Sequence, residues 1–206
     1  MSKPQVAKEH YDFECYGHLD RWVSYYMQLR ETFRFKPKSV LEIGVGDKVF
    51  GDYLRNNTGI SYTSVDIAED LRPNVIGSVT ELPFQNRSFD VVVAFEVLEH
   101  IPFEKFEQAL SEIARVARTG AVISLPHFGP PIKLSFKIPL VPEVKVAWKI
   151  PFPARHVFNG EHYWEIGKRG YPIGYIRDVL RSHFVLENDF VPFESQYHHF
   201  FILRKS

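Results

Sequence analysis

The sequence predicts an α/β fold, with a mostly parallel sheet covered by helices on both faces. Three observations carry that expectation. Short β-branched runs alternate with segments of helical periodicity along the chain. The run at 89–95, Phe-Asp-Val-Val-Val-Ala-Phe, is apolar almost throughout, as a strand buried on both faces must be. The run at 39–43 ends in Gly44-Val45-Gly46, a turn that lets backbone approach a ligand closely.

In chain order, residues 20–35 read as a helix through Trp22, Tyr25, Tyr26 and Leu29, and Pro37 stops it. Residues 39–44 form the first strand and 48–56 a helix that Asn56, Asn57 and Gly59 close. Residues 61–66 are the second strand and 74–76 a weak third. The strong strand at 89–95 is followed by an amphipathic helix over 103–118. Its Phe103, Phe106, Leu110, Ile113 and Ala117 share one face, and Gly120 is its expected C-cap. Residues 121–125 are a buried strand. After a proline-rich stretch come a helix at 173–182, a strand at 184–190 and a last strand at 199–203, the final pair able to form an antiparallel hairpin.

The chain has 206 residues and a mass of 24.0 kDa, which suits one domain. Apolar residues make up 45 % and charged residues 24 %, so a packed core is expected rather than disorder. Lys plus Arg equals Asp plus Glu at 25 each, and this balance speaks against a general nucleic-acid binder. The single Cys15 excludes a disulfide framework and a Cys-based zinc cluster, and fits a reducing compartment. No run of 18 apolar residues points to a transmembrane helix, and Met1 to His10 lacks an apolar leader core, so the expected location is the cytoplasm.

The division expected within the one domain is a helical cover at 1–38, a core at 39–125, an insertion at 126–170 and a C-terminal helix with strand hairpin at 171–206. Seven of the 14 prolines lie between Pro126 and Pro153. Between His127 and Arg155 stand Lys133, Lys137, Lys145, Lys149 and Arg155 against one acid, Glu143. That segment is too long and too proline-rich for a crossover and is read as a cap over the site.

Parallel sheets bind ligands beyond the carboxyl ends of their strands, which directs attention to 44–47, Asp66, 95–99 and 126–127. A pyrophosphate-binding loop would place a third glycine at position 49, where this chain has Val49. Glu42 and Asp47 flank the glycines. Carboxylates there repel pyrophosphate and favour a ligand carrying ammonium and sulfonium groups, such as S-adenosylmethionine (SAM). Asp66, 22 residues after Gly44, can accept two ribose hydroxyls or, alternatively, cap the short turn through Asp70.

Leu41-Glu-Ile-Gly-Val-Gly46, Ser64-Val-Asp66, Glu81-Leu-Pro-Phe84, Arg87-Ser-Phe-Asp90 and Val97-Leu-Glu-His-Ile-Pro102 together resemble class I SAM-dependent methyltransferases, closest to the ubiquinone- and menaquinone-biosynthesis type. The resemblance implies a Rossmann-like seven-stranded mostly parallel sheet with the last strand antiparallel, and SAM as cofactor. It implies that Glu42, Gly44 and Gly46 form the cofactor loop, Asp66 holds the ribose and Ile67 packs on the adenine. Ser78 and Val79 would stand near the adenine amino group, and Phe95 and Glu96 at the methionine end. Lys48 and Ser78 are the two departures from the family pattern, which commonly has a small residue and an Asp there.

Methyl transfer chiefly requires alignment and exclusion of water, with a base only where the acceptor must lose a proton. His127 is the candidate base, with Glu99 and His100 as further groups near strand ends, His100 expected to serve packing. His162, within Glu161-His-Tyr-Trp-Glu165, is a candidate substrate contact. His156, Glu161 and His162 match no standard metal spacing, so no metal is expected. His198 and His199 are expected to be solvent-facing or structural. The expected partner is a small-molecule or lipid-like acceptor. A peripheral membrane contact through 130–153 is a further possibility, where lysines interleave with Leu134, Phe136, Ile138, Leu140, Val146, Trp148 and Ile150; a pocket lid with solvated lysines is the alternative. Two other readings remain on the sequence alone: a non-catalytic SAM-binding or interaction module on the same scaffold, and an NAD-dependent oxidoreductase, which Val49 and the lack of a Tyr-x-x-x-Lys pair disfavour.

Overall fold

The computed structural model describes residues 13–152, 154–158 and 160–205. The expected helical cover is α1 (Phe13–Tyr16) and α2 (Leu19–Phe33). The stretch Met1 to His10, examined above for a leader, lies outside the described residues. The core runs β1 (Ser39–Ile43), α3 (Val49–Asn57), β2 (Ser61–Asp66), β3 (Val75–Ile76), β4 (Phe89–Phe95), α4 (Phe106–Val116) and β5 (Ala117–Pro126). Then follow β6 (Pro131–Phe136), β7 (Val144–Lys149), α5 (Ile173–Arg181), β8 (Val185–Phe190) and β9 (His198–Arg204).

Seven strands form one sheet in the order β3-β2-β1-β4-β5-β9-β8. The first five are parallel, and β9 is antiparallel to both β5 and β8. The expected architecture is therefore present, with the reversed strand at the end of the chain. It arises because β8 and β9 are joined by a short connection, which returns the chain antiparallel, whereas the earlier strands are separated by helices or longer excursions.

The period-two alternation of the central strands divides the core into two layers. Leu41, Ile43, Val92, Ala94, Ala121 and Ile123 face the side covered by Leu110 and Ile113 of α4 and by Ile176 and Leu180 of α5. Val40, Val91, Val93 and Val122 face Phe50 and Leu54 of α3, with Phe35 behind α2. Each such side chain removed from water contributes about 1.5–3 kcal/mol before the loss of chain entropy.

Two elements differ from expectation. α4 stops at Val116, and Gly120 lies inside β5, paired with Val91 and Arg204, rather than capping a helix. A Cβ there would stand 2.2 Å from the Leu203 carbonyl oxygen and 2.6 Å from Phe35, so the glycine serves close strand approach. The proline-rich segment contains a second sheet, the antiparallel pair β6–β7, with Leu134 opposite Val146 and Ile132 opposite Trp148. Its prolines stand at the hairpin's start and in its turn, where no ladder donor is needed. No described helix is long and apolar enough to cross a membrane.

Candidate functional site

A cavity of about 370 Å³ opens beyond the carboxyl ends of β1, β2 and β4, where a parallel sheet with this order places ligands. Its floor is the turn after β1. Gly44 and Gly46 take φ of +78° and +44°, a region where a side chain is strained. A Cβ on Gly44 would also stand 2.4 Å from Val97 Cγ2. The next residue in that conformation is Lys48 (φ +69°), which precedes α3; it is not among the residues lining the cavity. Asp47 Oδ1 accepts the Val49 N–H at 3.2 Å and so caps α3, while its other oxygen accepts from the Tyr25 hydroxyl of α2.

Asp66 caps the turn that follows β2, one of the two roles considered for it, and also holds the glycine turn after β1. Its Oδ1 accepts the Ala68 N–H at 2.8 Å, closing the turn that follows β2, and its Oδ2 accepts the Val45 N–H at 2.8 Å. Each oxygen retains acceptor capacity, and the residue lines the cavity beside Ile67, which is half-exposed. Ser78 and Val79 line the same wall, Ser78 Oγ lying 2.8 Å from Thr80 Oγ1.

Glu42 is buried at the end of β1 and accepts the Tyr62 hydroxyl. Burial, opposed by that hydrogen bond and reinforced by Asp47, pushes its carboxyl up to about 8. Tyr62 was not legible as a site residue, because its role depends on the register that places β2 beside β1.

Phe95 and Glu96 also line the cavity. Glu96 has φ +54°, a strained conformation of the kind found at functional sites. Its Oε2 lies 3.6 Å from His198 Nε2, and its Oε1 is buried with no hydrogen-bond partner among the described residues. Burial first, then the countering charge of Arg21, leaves its carboxyl raised to about 7. His198 is buried rather than solvent-facing, with Nδ1 2.7 Å from Ser24 Oγ.

His127, the candidate base, is not among the residues that line this cavity. Its Nδ1 lies 2.9 Å from His199 Nδ1, and His199 Nε2 lies 2.8 Å from Asp189 Oδ2, which Arg177 also binds at 2.7 Å. With Nε2–H donated to the carboxylate, neutral His199 accepts through Nδ1, and His127 donates. Burial and the neighbouring His199 depress His127 to about 3. This is a structural chain between β5, β9, β8 and α5. His162 is nearer the site: its Nδ1 lies 3.1 Å from Glu165 Oε1 and its ring meets that of His100, a cavity-lining residue, edge to face at 5.0 Å.

The glycine floor, the acidic groups Glu42, Asp66 and Glu96, and the orphaned Glu96 Oε1 fit a ligand rich in hydroxyl, ammonium and amino donors. Residues 41–125 match the family model described as "Methyltransferase domain". The chain is 32 % identical over 140 residues to a probable S-adenosylmethionine-dependent methyltransferase of Mycolicibacterium smegmatis, covering 60 % of this chain and 49 % of that protein. It is 33 % identical over 104 residues to a probable chloroplastic tocopherol O-methyltransferase of Oryza sativa, covering 43 % and 28 %. The chain thus spans half or less of the length of these curated relatives. The crystal structure of an S-adenosylmethionine-dependent methyltransferase from Clostridium acetobutylicum superposes with a TM-score of 0.63 at 12 % identity, covering 95 % of this chain and 96 % of that one, a likeness of fold. Sheet order, glycine turn, acidic crevice and the match of residues 41–125 to a methyltransferase-domain model agree, so over that core the chain is similar to S-adenosylmethionine-dependent methyltransferases.

Proposed function

We propose that this chain is a cytoplasmic SAM-dependent methyltransferase acting on a small-molecule acceptor of lipid-like character, nearest in kind to the ubiquinone- and menaquinone-type subgroup. The observation that carries it is the acidic crevice at the ends of β1, β2 and β4, where Glu42, Asp66 and Glu96 surround a glycine turn. Three carboxyl groups around such a turn suit a cationic nucleoside and oppose a pyrophosphate, which also sets the NAD alternative aside.

When bound there, SAM supplies an electrophilic methyl group on sulfur. The chain's own residues hold and screen it. Asp66, already fixed by Val45 and Ala68, would accept ribose hydroxyls. Ile67 would cover one adenine face, with Ser78 and Val79 at its edge. Glu42 and Glu96 would offset positive charge at the methionine end. Phe95, Ile101 and Tyr163 supply apolar wall that keeps water from the reacting centre.

Acceptor entry from the 126–170 side is supported by a second cavity of about 460 Å³, lined by Arg155, His156, Phe158, Tyr163, Arg169 and Tyr171. Tyr163 lines both cavities. The hairpin β6–β7 leaves Phe136 75 % exposed, with Leu134, Val146 and Trp148 also exposed beside Lys133 and Lys145, a composition suited to an anionic lipid surface. The similarity to a probable tocopherol O-methyltransferase is consistent with a lipid-like acceptor.

The test is incubation of the full chain and methyl-labelled SAM with a metabolite extract containing its lipids. A labelled product that requires the chain and is lost with Asp66→Ala supports the proposal. Tight cofactor binding with no labelled product from polar or lipid fractions favours the non-catalytic module instead.

A further inference from the structure

We propose that Glu99, His100 and His162 form a site for one divalent first-row transition-metal cation, of the zinc type, beside the crevice. The bound cation would take an oxygen of the acceptor as a further ligand; that second part rests on the methyltransferase reading, whereas cation binding itself does not.

The side chain of Glu99 is fully buried, and neither carboxyl oxygen has a hydrogen-bond partner among the described residues. An unpartnered buried carboxyl group is costly and calls for a compensating ligand. Two imidazoles approach the same oxygen: Glu99 Oε1 lies 3.9 Å from His100 Nε2 and 4.0 Å from His162 Nε2. These separations are too long for hydrogen bonds. Donors each about 2.1 Å from one tetrahedral cation stand about 3.4 Å apart, so each imidazole need close on Glu99 by only about 0.5 Å to share an ion with it. One potential ligand atom from each of the three residues falls within 4.8 Å of the others.

The far nitrogens are arranged as metal-bound imidazoles require. His100 Nδ1 lies 3.0 Å from the Glu161 carbonyl oxygen, which can only accept, so Nδ1 carries the hydrogen and Nε2 the lone pair in the neutral ring. His162 Nδ1 lies 3.1 Å from the Glu165 carboxylate, the nearer partner, and 3.4 Å from the Tyr197 hydroxyl; donation to the carboxylate gives the same tautomer. An imidazole that donates one N–H to a carbonyl or carboxylate and turns its other nitrogen inward is the usual supporting pattern of a ligating histidine. The Tyr163 N–H, donated to the Glu99 carbonyl at 2.8 Å, ties the His162 loop to the turn Leu98–His100.

Sequence spacing hid this group, because His162 lies far along the chain from Glu99 and His100. Of the neighbours weighed on spacing, His156 turns its Nε2 to the His162 carbonyl at 2.9 Å, and Glu161 contributes its own backbone oxygen. Two imidazoles and one carboxylate favour zinc, cobalt, iron or manganese over magnesium. Because His100 lines the crevice together with Glu96 and Tyr163, the remaining coordination positions adjoin the cofactor site.

The test is titration of the chelator-stripped full chain with Co2+, read by visible absorption, with Zn2+ and Mg2+ as competitors and S-adenosylhomocysteine (SAH) binding measured in parallel. We expect one Co2+ per chain, displaced by Zn2+ and not by equal Mg2+. Glu99→Gln and His162→Gln should each weaken Co2+ at least tenfold while retaining SAH binding, which shows that they fold. Less than 0.1 equivalent of Co2+ bound, unchanged affinity in both variants, or Mg2+ competing as well as Zn2+ overturns the inference. Failure of SAH to bind the metal-loaded chain would instead overturn the cofactor reading and leave the cation site standing.

Discussion

Asp66 Oδ2 accepts the Val45 backbone N–H at 2.8 Å, so the residue ending β2 fixes the glycine turn that ends β1. One carboxylate therefore organises the loop, and in the proposed function its remaining acceptor sites would take the cofactor ribose. Asp66→Ala should weaken SAH binding by about 1–3 kcal/mol, as expected for stranded polar groups. Asp66→Asn, which keeps acceptor capacity on one oxygen, should lose less. Isothermal calorimetry measures both; equal affinity in wild type and the Ala variant would remove Asp66 from the cofactor site.

Glu42 adds a pH dependence. Its carboxyl is raised to about 8, so at pH 7 the ligand-free chain holds that proton. A cationic cofactor favours the ionised form, and binding must then release part of a proton. SAM affinity should rise between about pH 6 and 8, and the heat of binding at pH 7 should depend on the ionisation enthalpy of the buffer. The Glu42→Gln variant should show both effects reduced, the remainder coming from Glu96, whose carboxyl is raised to about 7. A buffer-independent heat in wild type would show that Glu42 does not meet the cation.

The chain His127–His199–Asp189 predicts the acid limb of stability. Burial holds His127 at about 3 and lowers His199 below its usual 6.5. Between about pH 3 and 6.5 the unfolded chain binds more protons than the folded one, so stability is present above 6.5 and falls as the pH drops through that window. His127→Gln should flatten this limb in urea unfolding measured from pH 7 to 4. An unchanged slope would mean that the pair does not set it.

Gly120→Ala should destabilise by about 1–3 kcal/mol or more, since the added carbon meets the Leu203 carbonyl at 2.2 Å, where strand pairing prevents escape. Chemical denaturation gives the value directly, and a change under about 0.5 kcal/mol would contradict the close approach of β5 and β9.

The architecture was legible because apolar runs such as Val91–Val92–Val93 leave no alternative to a strand covered on both sides. The turn at the crevice was legible for the same local reason: Gly44, Gly46 and Asp66 act through backbone geometry that neighbouring residues dictate. Gly120 misled, since glycine after a helical pattern signals a cap, whereas here tertiary pairing with Arg204 decides its place. The contact of His127 was not legible, because strand-end position does not reveal a partner 72 residues away, His199. The hairpin β6–β7 was hidden by prolines that stand outside its ladder, and the grouping of Glu99, His100 and His162 exists only once the loop through Tyr163 docks on the turn after β4.

Lipid contact through that hairpin is tested by sedimentation with vesicles. The chain should pellet more with anionic than with neutral vesicles, and Phe136→Ser together with Trp148→Ser should reduce the anionic fraction at least threefold. Equal recovery with both vesicle types would end the membrane proposal and leave β6–β7 as a lid.

The most direct measurement is calorimetric titration of SAH into the full wild-type chain. A single site per chain with a Kd in the micromolar range, about −8 kcal/mol, is predicted. Absence of binding at millimolar SAH would contradict the assignment of the crevice at the ends of β1, β2 and β4.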